Sequence, residues 1–470
     1  GSGMLRRMLP LLTLVTLAAA VLAVAGSRLM RRGAQELVSA ERRASSAART
    51  DALTGLPNRA AFNEALAAPA AAGERAILFL DLNGFKGVND SLGHDAGDRV
   101  IVATAARLAA VAGADAMLAR IAGDEFVLLV AGPAAKARIE VLAQAVAAVF
   151  ETPFEIGGHH LHLQAAIGYA VQDEDGRAGA DLVRQADLAM YEGKRLKDRA
   201  PVAFSAMMEE ASHNAFLVER ALRAALASRP EELSVAYQPI VTADGAFHHA
   251  EVLARWTARD HGPVPPARFV AVAEKAGLVI DLGRAVLGHL CRDLRDHPAL
   301  RVSVNISPLQ LAAPDFIPDF VEELDRLAID PRRIEVELTE SVLVRDPALA
   351  ARHLRELQAV GFGIALDDFG TGYSSIAYLE KLSFDALKVD RSFVSGVRRS
   401  PKRHALLRAM IQMAHGLDLR VVCEGVETAE DLRLLQELDC DLMQGFLFDR
   451  PLVIGDLAER WLSGRKRVAA

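Results

Sequence analysis

The sequence predicts a multidomain α/β chain with three parts: an N-terminal transmembrane helix, a palm- or ferredoxin-like α+β domain, and a (β/α)8-type barrel. Three observations carry this reading. The chain has 470 residues, too many for one hydrophobic core. An uncharged apolar run near its start reaches bilayer length. Near residue 233 the rhythm of apolar segments changes from a mixed order of strands and helices to repeated βα units. An apolar fraction of 51% fits folded domains plus one membrane segment. The net charge of −7 does not suggest a nucleic-acid polymer as a partner. Cys291, Cys423 and Cys440 lie far apart and form no C-x-x-C pair. That suits a reducing compartment and argues against a disulfide frame or a cysteine zinc site.

Gly1-Ser2-Gly3 ahead of Met4 reads as a cloning scar. Residues 4–26 are the expected membrane anchor. The uncharged stretch Met8 to Gly26, at about 1.5 Å per residue, just crosses a bilayer core. Arg6 and Arg7 precede it and Arg28, Arg31 and Arg32 follow, which places the bulk of the chain in the cytoplasm. Ala23-Val24-Ala25 offers a rival reading as a signal-peptide cleavage site, which the basic C-terminal flank opposes. A buried core helix is the third reading, and the run lacks the polar face it would need. Residues 27–50 read as a helical linker whose heptad pattern is poor and broken at Gly33.

Residues 51–205 form the α+β unit. Ala76 to Leu82 is a short apolar strand, Asp98 to Val111 a helix, Ala116 to Val130 a hairpin, Ala135 to Phe150 a helix and Leu161 to Val171 a strand. Residues 206–228 are a connecting helix, and 229–465 the barrel. Its expected strands are Leu233–Tyr237, Arg301–Ile306, Ile334–Leu338, Gly363–Leu366, Ala386–Val389, Arg420–Cys423 and Leu442–Phe446.

The barrel strands end in polar groups: Asn305, Glu337, Glu340, Asp367, Asp368, Lys388, Asp390, Glu424, Glu427 and Gln444. In such a barrel these ends converge on one face. Buried strands do not end in so many carboxylates unless something positive meets them. Any one of these residues alone would read as a solvated loop start. Together they suit Mg²⁺ or Mn²⁺, which take hard oxygen ligands. The adjacent Asp367-Asp368 pair can serve two ions, as in phosphodiester hydrolysis. Lys388 beside them can hold a water and stabilise developing charge. A barrel that binds nucleotide without catalysis is the alternative.

Glu251-Val252-Leu253-Ala254-Arg255-Trp256 resembles the motif that names the EAL phosphodiesterases of cyclic di-GMP, with Val252 in place of alanine. The resemblance runs from Tyr237 to about Pro451. It implies that Glu251, Asn305, Glu337 and Asp367 hold the first metal, with Glu424 also a ligand. It implies that Asp368 contributes to the second ion and that Lys388 positions the nucleophilic water. Lys388, Glu251, Glu424 and Asp367 would carry catalysis. Gln238, Arg255, Asp390 and Gln444 would face the dinucleotide. Asp368 to Ser375 resembles the family's mobile loop, anchored by Glu340, which couples dimerisation to metal binding.

In the α+β unit, Arg120-Ile-Ala-Gly-Asp-Glu-Phe126 places Asp124 and Glu125 at a hairpin tip, and Asp81 ends the preceding strand. With the opening Leu53 to Arg59 and with Phe85-Lys86, Asn89-Asp90 and Gly97-Asp98, this resembles the GGDEF family of diguanylate cyclases over residues 51 to 200. The resemblance implies Mg²⁺ and GTP held by Asp81, Asp124 and Glu125, guanine read by Asn89 and Asp98, and phosphates met by Lys86 and Lys194. Ring closure from two GTP molecules would need two such domains face to face, hence a homodimer. Three departures stand out. Ala122 replaces the first glycine, at a cost of ~1 kcal/mol or more if its φ is positive and little if it is negative. Tyr191 to Arg199 diverges from the lysine–glycine–arginine pattern, and Gly113 to Ala116 lacks the R-x-x-D inhibitory site. His159, His160 and His162 read as hairpin surface, and His248-His249 as strand residues. The resulting expectation is a single-pass protein of a bacterial inner membrane that hydrolyses cyclic di-GMP to linear pGpG. Its GTP-binding unit either regulates or also synthesises. A catalytically weak cyclic di-GMP receptor is the alternative of a different class.

Overall fold

The computed structural model describes residues 48–68, 74–113, 116–172, 179–196, 200–340, 347–370, 379, 382–397 and 400–463. The expected membrane anchor, most of the 27–50 linker and residues 371–375 of the expected mobile loop lie outside these. Among the described residues, no helix is long and apolar enough to cross a membrane. The chain divides into two compact units, Gly1–His213 and Asn214–Ala470.

The first unit is built on a five-stranded sheet. Its strands are β1 (Arg75–Asn83), β2 (Ala116–Ala122), β3 (Glu125–Ala131), β6 (Gln164–Val171) and β7 (Val202–Ala203), in the order β2-β3-β1-β6-β7. β4 (Phe154–Ile156) and β5 (His159–Leu161) form a separate hairpin. β1 lies antiparallel to both β3 and β6. Its central residues form an unbroken buried run because both faces are covered. Leu78 and Leu80 pack beside the helices His94–Ala112 and Ala135–Ala148. Ile77 and Phe79 pack on the other face beside Arg59–Ala67 and Gly179–Leu196. Gly168 of β6 matters here, because a Cβ there would run into the backbone of Ala186 and Met190. Helix Gly179–Leu196 therefore lies tight on the sheet and carries its last turn to the end of β1. The helices Phe85–Leu92 and Gly179–Leu196 are not separate elements of the sequence expectation.

The second unit contains β8 (Leu233–Thr242), β9 (Phe247–Ala258), β10 (Gly262–Val264), β11 (Val302–Asn305), β12 (Ile334–Thr339), β13 (Gly363–Phe369), β14 (Ala386–Val389), β15 (Arg420–Cys423) and β16 (Leu442–Gln444). Pairing runs β9-β11-β12-β13-β14-β15-β16-β8 and closes through β8–β9 into a barrel, with β10 beside β9. One correction to the (β/α)8 expectation follows: β8 is antiparallel to both its neighbours. The cause is local. β8 and β9 are joined by a tight turn through Gly245, at φ +77°, too short for a crossover helix. The sequence reading also lacked β9 as a full strand. Val302, Val304, Val336 and Leu338 face the outer core between barrel and helices. Alternation therefore points Asn305 and Glu337 into the barrel.

Candidate active site

The interior end of the barrel gathers charge around one lysine. Lys388 is 1% exposed. Its Nζ lies 2.8 Å from Glu337 Oε2, 2.9 Å from Glu424 Oε1, 3.5 Å from Asp367 Oδ1 and 3.6 Å from Glu251 Oε2. These side chains come from β9, β12, β13, β14 and the end of β15, so the barrel register itself assembles the cluster. Asn305 Nδ2 donates to Glu251 Oε1 at 2.8 Å, and Gln444 Nε2 donates to Glu251 Oε2 at 2.6 Å. Gln444 Nε2 also lies 3.3 Å from Gln238 Oε1.

Electrostatics marks the cluster as short of positive charge. Four carboxylates face a single ammonium. Burial holds the Glu337 carboxyl well above the usual carboxylate range, despite Lys388. Burial likewise pushes Glu424 up to about 7. The four carboxylates and their proximity hold the Lys388 ammonium well above its ordinary value against its own desolvation. Glu337 Oε1 and Gln444 Oε1 are buried without a hydrogen-bond partner among the described residues. Such a set of hard oxygen donors fits a divalent cation. As the side chains stand, no three His, Cys, Asp or Glu groups among the described residues are drawn together as a metal site. The carboxylates are instead drawn to Lys388.

Asp368 joins this field by a backbone device. The β13–β14 pairing is irregular between Leu366 and Phe369, and Asp368 takes a left-handed φ of +56°. A bulge re-aims side chains that would otherwise alternate between faces. Asp368 N donates to Asp367 Oδ1 at 2.9 Å. Burial first, and then Asp367 and Asp390, raise the Asp368 carboxyl. Gly370 N donates to Glu340 Oε1 at 2.8 Å, at the start of the expected mobile loop. Arg255 is half-buried and donates to Ala254 O. Asp390 caps the short helix Arg391–Val394 by accepting from Ser392 N at 2.9 Å.

In the first unit, register sets Asp81 of β1 opposite Glu125 of β3. Lys194 Nζ reaches Asp81 Oδ1 at 2.7 Å from the last turn of its helix. Burial and then Asp81 raise the carboxyls of Asp124 and Glu125. Asp187 is raised by the same two causes, and sequence reasoning missed it. The available signal was its spacing of seven from Lys194, one helical face. Arg120 was missed as a support. It donates to Gly123 O at 2.9 and 2.8 Å and pairs with Asp51 Oδ1 at 2.8 Å. Ala122 ends β2 and is not among the non-glycine residues with positive φ; Gly123 takes that role at +45°. Lys86 and Asp98 are exposed, while Asn89 is half-buried above Gly97, where a Cβ would displace its amide. His159 and His160 are exposed on β5, as expected of hairpin surface.

Comparison with known proteins matches each unit to a family. Residues 48–199 match the family described as "Diguanylate cyclase, GGDEF domain", and residues 219–451 match "EAL domain". The chain is 37% identical over 423 residues to "Cyclic di-GMP phosphodiesterase NbdA" of Pseudomonas aeruginosa, covering 88% of this chain and 54% of that protein. It is 35% identical over 468 residues to "Bifunctional diguanylate cyclase/cyclic di-GMP phosphodiesterase MucR" of the same organism, covering 96% of this chain and 68% of that one. The chain thus spans about half to two thirds of these relatives. The solved structure "Vibrio cholerae LapD S helix-GGDEF-EAL (bound to c-di-GMP)" shares the fold at a TM-score of 0.61 and 18% identity, covering 88% of this chain and 100% of that one. With matches to both families in tandem, and with 96% of this chain aligned to MucR at 35% identity, the chain belongs to the family of tandem GGDEF–EAL cyclic di-GMP proteins.

Proposed function

We propose that the barrel hydrolyses cyclic di-GMP to linear pGpG with Mg²⁺ or Mn²⁺, and that the first unit binds GTP. The observation that carries the reading is the buried ammonium of Lys388 enclosed by Glu251, Glu337, Asp367 and Glu424. Those carboxylates, with Asn305 and Asp368, would hold two divalent ions. When bound, such ions supply a more acidic water and charge stabilisation at the phosphodiester. Asn305 and Gln444 fix Glu251 from both sides, so its orientation is set before a ligand arrives. Lys388 orients the attacking water and meets the negative charge that develops on phosphate. Gln238, Arg255 and Asp390 border the same end of the barrel and would bind the dinucleotide. Support comes also from the name of NbdA, a cyclic di-GMP phosphodiesterase.

A second reading adds synthesis of cyclic di-GMP from two GTP. Its support is that Ala122 takes no positive φ, and the printed bifunctionality of MucR. Under either reading Asp81, Asp124 and Glu125 would hold Mg²⁺ with GTP, Lys194 and Lys86 would meet phosphate, and Asn89 and Asp98 guanine. A homodimer anchored by one helix in a bacterial inner membrane, with both units in the cytoplasm, completes the proposal. The intact cluster around Lys388 argues against a receptor that only binds.

The test of the barrel assignment is substitution. Glu251→Ala and Asp368→Ala should each lower hydrolysis by at least about 10²-fold, the scale of losing one charge-stabilising group. Both should leave thermal unfolding cooperative. Hydrolysis that survives both changes would remove the metal-site assignment.

A further inference from the structure

Beneath the carboxylate layer the barrel holds a second polar layer. His249 of β9, Ser303 of β11 and Glu335 of β12 stand two residues before Glu251, Asn305 and Glu337, so alternation points them into the interior as well. They are 4%, 0% and 8% exposed. His249 Nε2, Ser303 Oγ and Glu335 Oε1 are all buried without a hydrogen-bond partner among the described residues. The other polar atoms of two of these side chains are engaged. His249 Nδ1 lies 2.7 Å from His248 Nδ1, and Glu335 Oε2 accepts from Arg420 Nη2 at 2.7 Å. His249 Nε2 stands 3.8 Å from Glu335 Oε1, beyond direct hydrogen-bond distance. Ser303 pairs in register with Glu335 on one side and Glu251 on the other.

Small residues line the neighbouring strands, with Gly363 level with Glu335 in register. Ala365 and Ala386 occupy neighbouring interior positions on β13 and β14, where a barrel usually carries bulky branched side chains. A buried water needs space and two to four polar partners, and it satisfies groups that are otherwise costly to bury.

We propose that this layer is an internal water site. An ordered water is held by His249 Nε2, Ser303 Oγ and Glu335 Oε1 and supports Glu251 and Glu337 from below. Solvent exchanges past Arg420, whose side chain is 41% exposed at the barrel floor. The inference rests on the fold and holds whether or not the barrel is a hydrolase.

Thermal unfolding of the full chain and of its Ser303→Ala variant gives the first test. A water-bound hydroxyl contributes to stability, so its removal should lower Tm by about 2 to 4 °C. A hydroxyl buried dry is a liability, so an unchanged or raised Tm would overturn the proposal. A high-resolution crystal structure supplies the direct measurement. Expected is ordered density within hydrogen-bond distance of all three atoms in the parent chain, lost in Ser303→Val. A dry interior with His249 bonded directly to Glu335 would equally overturn it.

Discussion

Lys388 is the residue on which the account turns, because one buried ammonium balances several buried acids. Lys388→Met keeps much of the volume and removes the charge. It should destabilise the barrel by about 3–5 kcal/mol at neutral pH, the cost of stranding buried charge. The penalty should shrink at low pH, where the carboxyls protonate; denaturant unfolding at two pH values checks both statements. Glu424 gives a second pH signature. Its folded pKa of about 7 lies above the ordinary 4.5. A raised pKa means the folded state binds the proton more tightly, so Glu424's contribution is full below about 4.5 and lost as pH rises towards about 7. Tm of the metal-free protein should therefore decline across that window. Saturating Mn²⁺ should flatten the decline, because it favours the ionised form. An identical slope with and without Mn²⁺ would mean that the ion does not meet this carboxylate. Glu337, Asp367 and Glu424 were legible in the sequence because each stands at or near the end of an apolar strand, and Glu251 through its motif. Their collapse onto Lys388 was not legible, since it depends on register between β12, β13 and β14.

Among the elements, the hairpin β2–β3 is the sharpest case. Alanine at 122 stands where a turn glycine is expected, and its cost depends on the sign of φ. The structure puts the positive φ on Gly123 instead and leaves Ala122 in the strand. Ala122→Gly should thus change GTP affinity less than tenfold. Gly123→Ala should destabilise the tip by ~1 kcal/mol or more. Isothermal titration with a non-hydrolysable GTP analogue measures the first, and denaturant unfolding the second. The hairpin was readable from apolar runs flanking A-G-D-E-F. The dihedral was not, because it depends on a register shift between Arg120 and Ala122 and on the Arg120 bonds to Gly123 O. The reversed strand β8 shows the same division: Thr242-Ala-Asp-Gly245 is a hairpin signal, but repeated βα units suggested uniform parallel order. Asp187 escaped because its helical spacing from Lys194 does not by itself reveal the nearby end of β1.

At the scale of the molecule, two catalytic-type centres share one chain, and both are acidic sites built where strands end. Under the proposed function the first would take a nucleoside triphosphate and the second a cyclic dinucleotide, and net direction would then be a property of the whole chain rather than of either unit. One measurement tests the central claim most directly. The purified protein is incubated with cyclic di-GMP and, separately, with GTP, each with Mg²⁺ or Mn²⁺, and the nucleotides are separated. The account predicts conversion of cyclic di-GMP to pGpG that stops when the metal is chelated. Cyclic di-GMP that stays intact under every metal condition, while still binding to the protein, would contradict it.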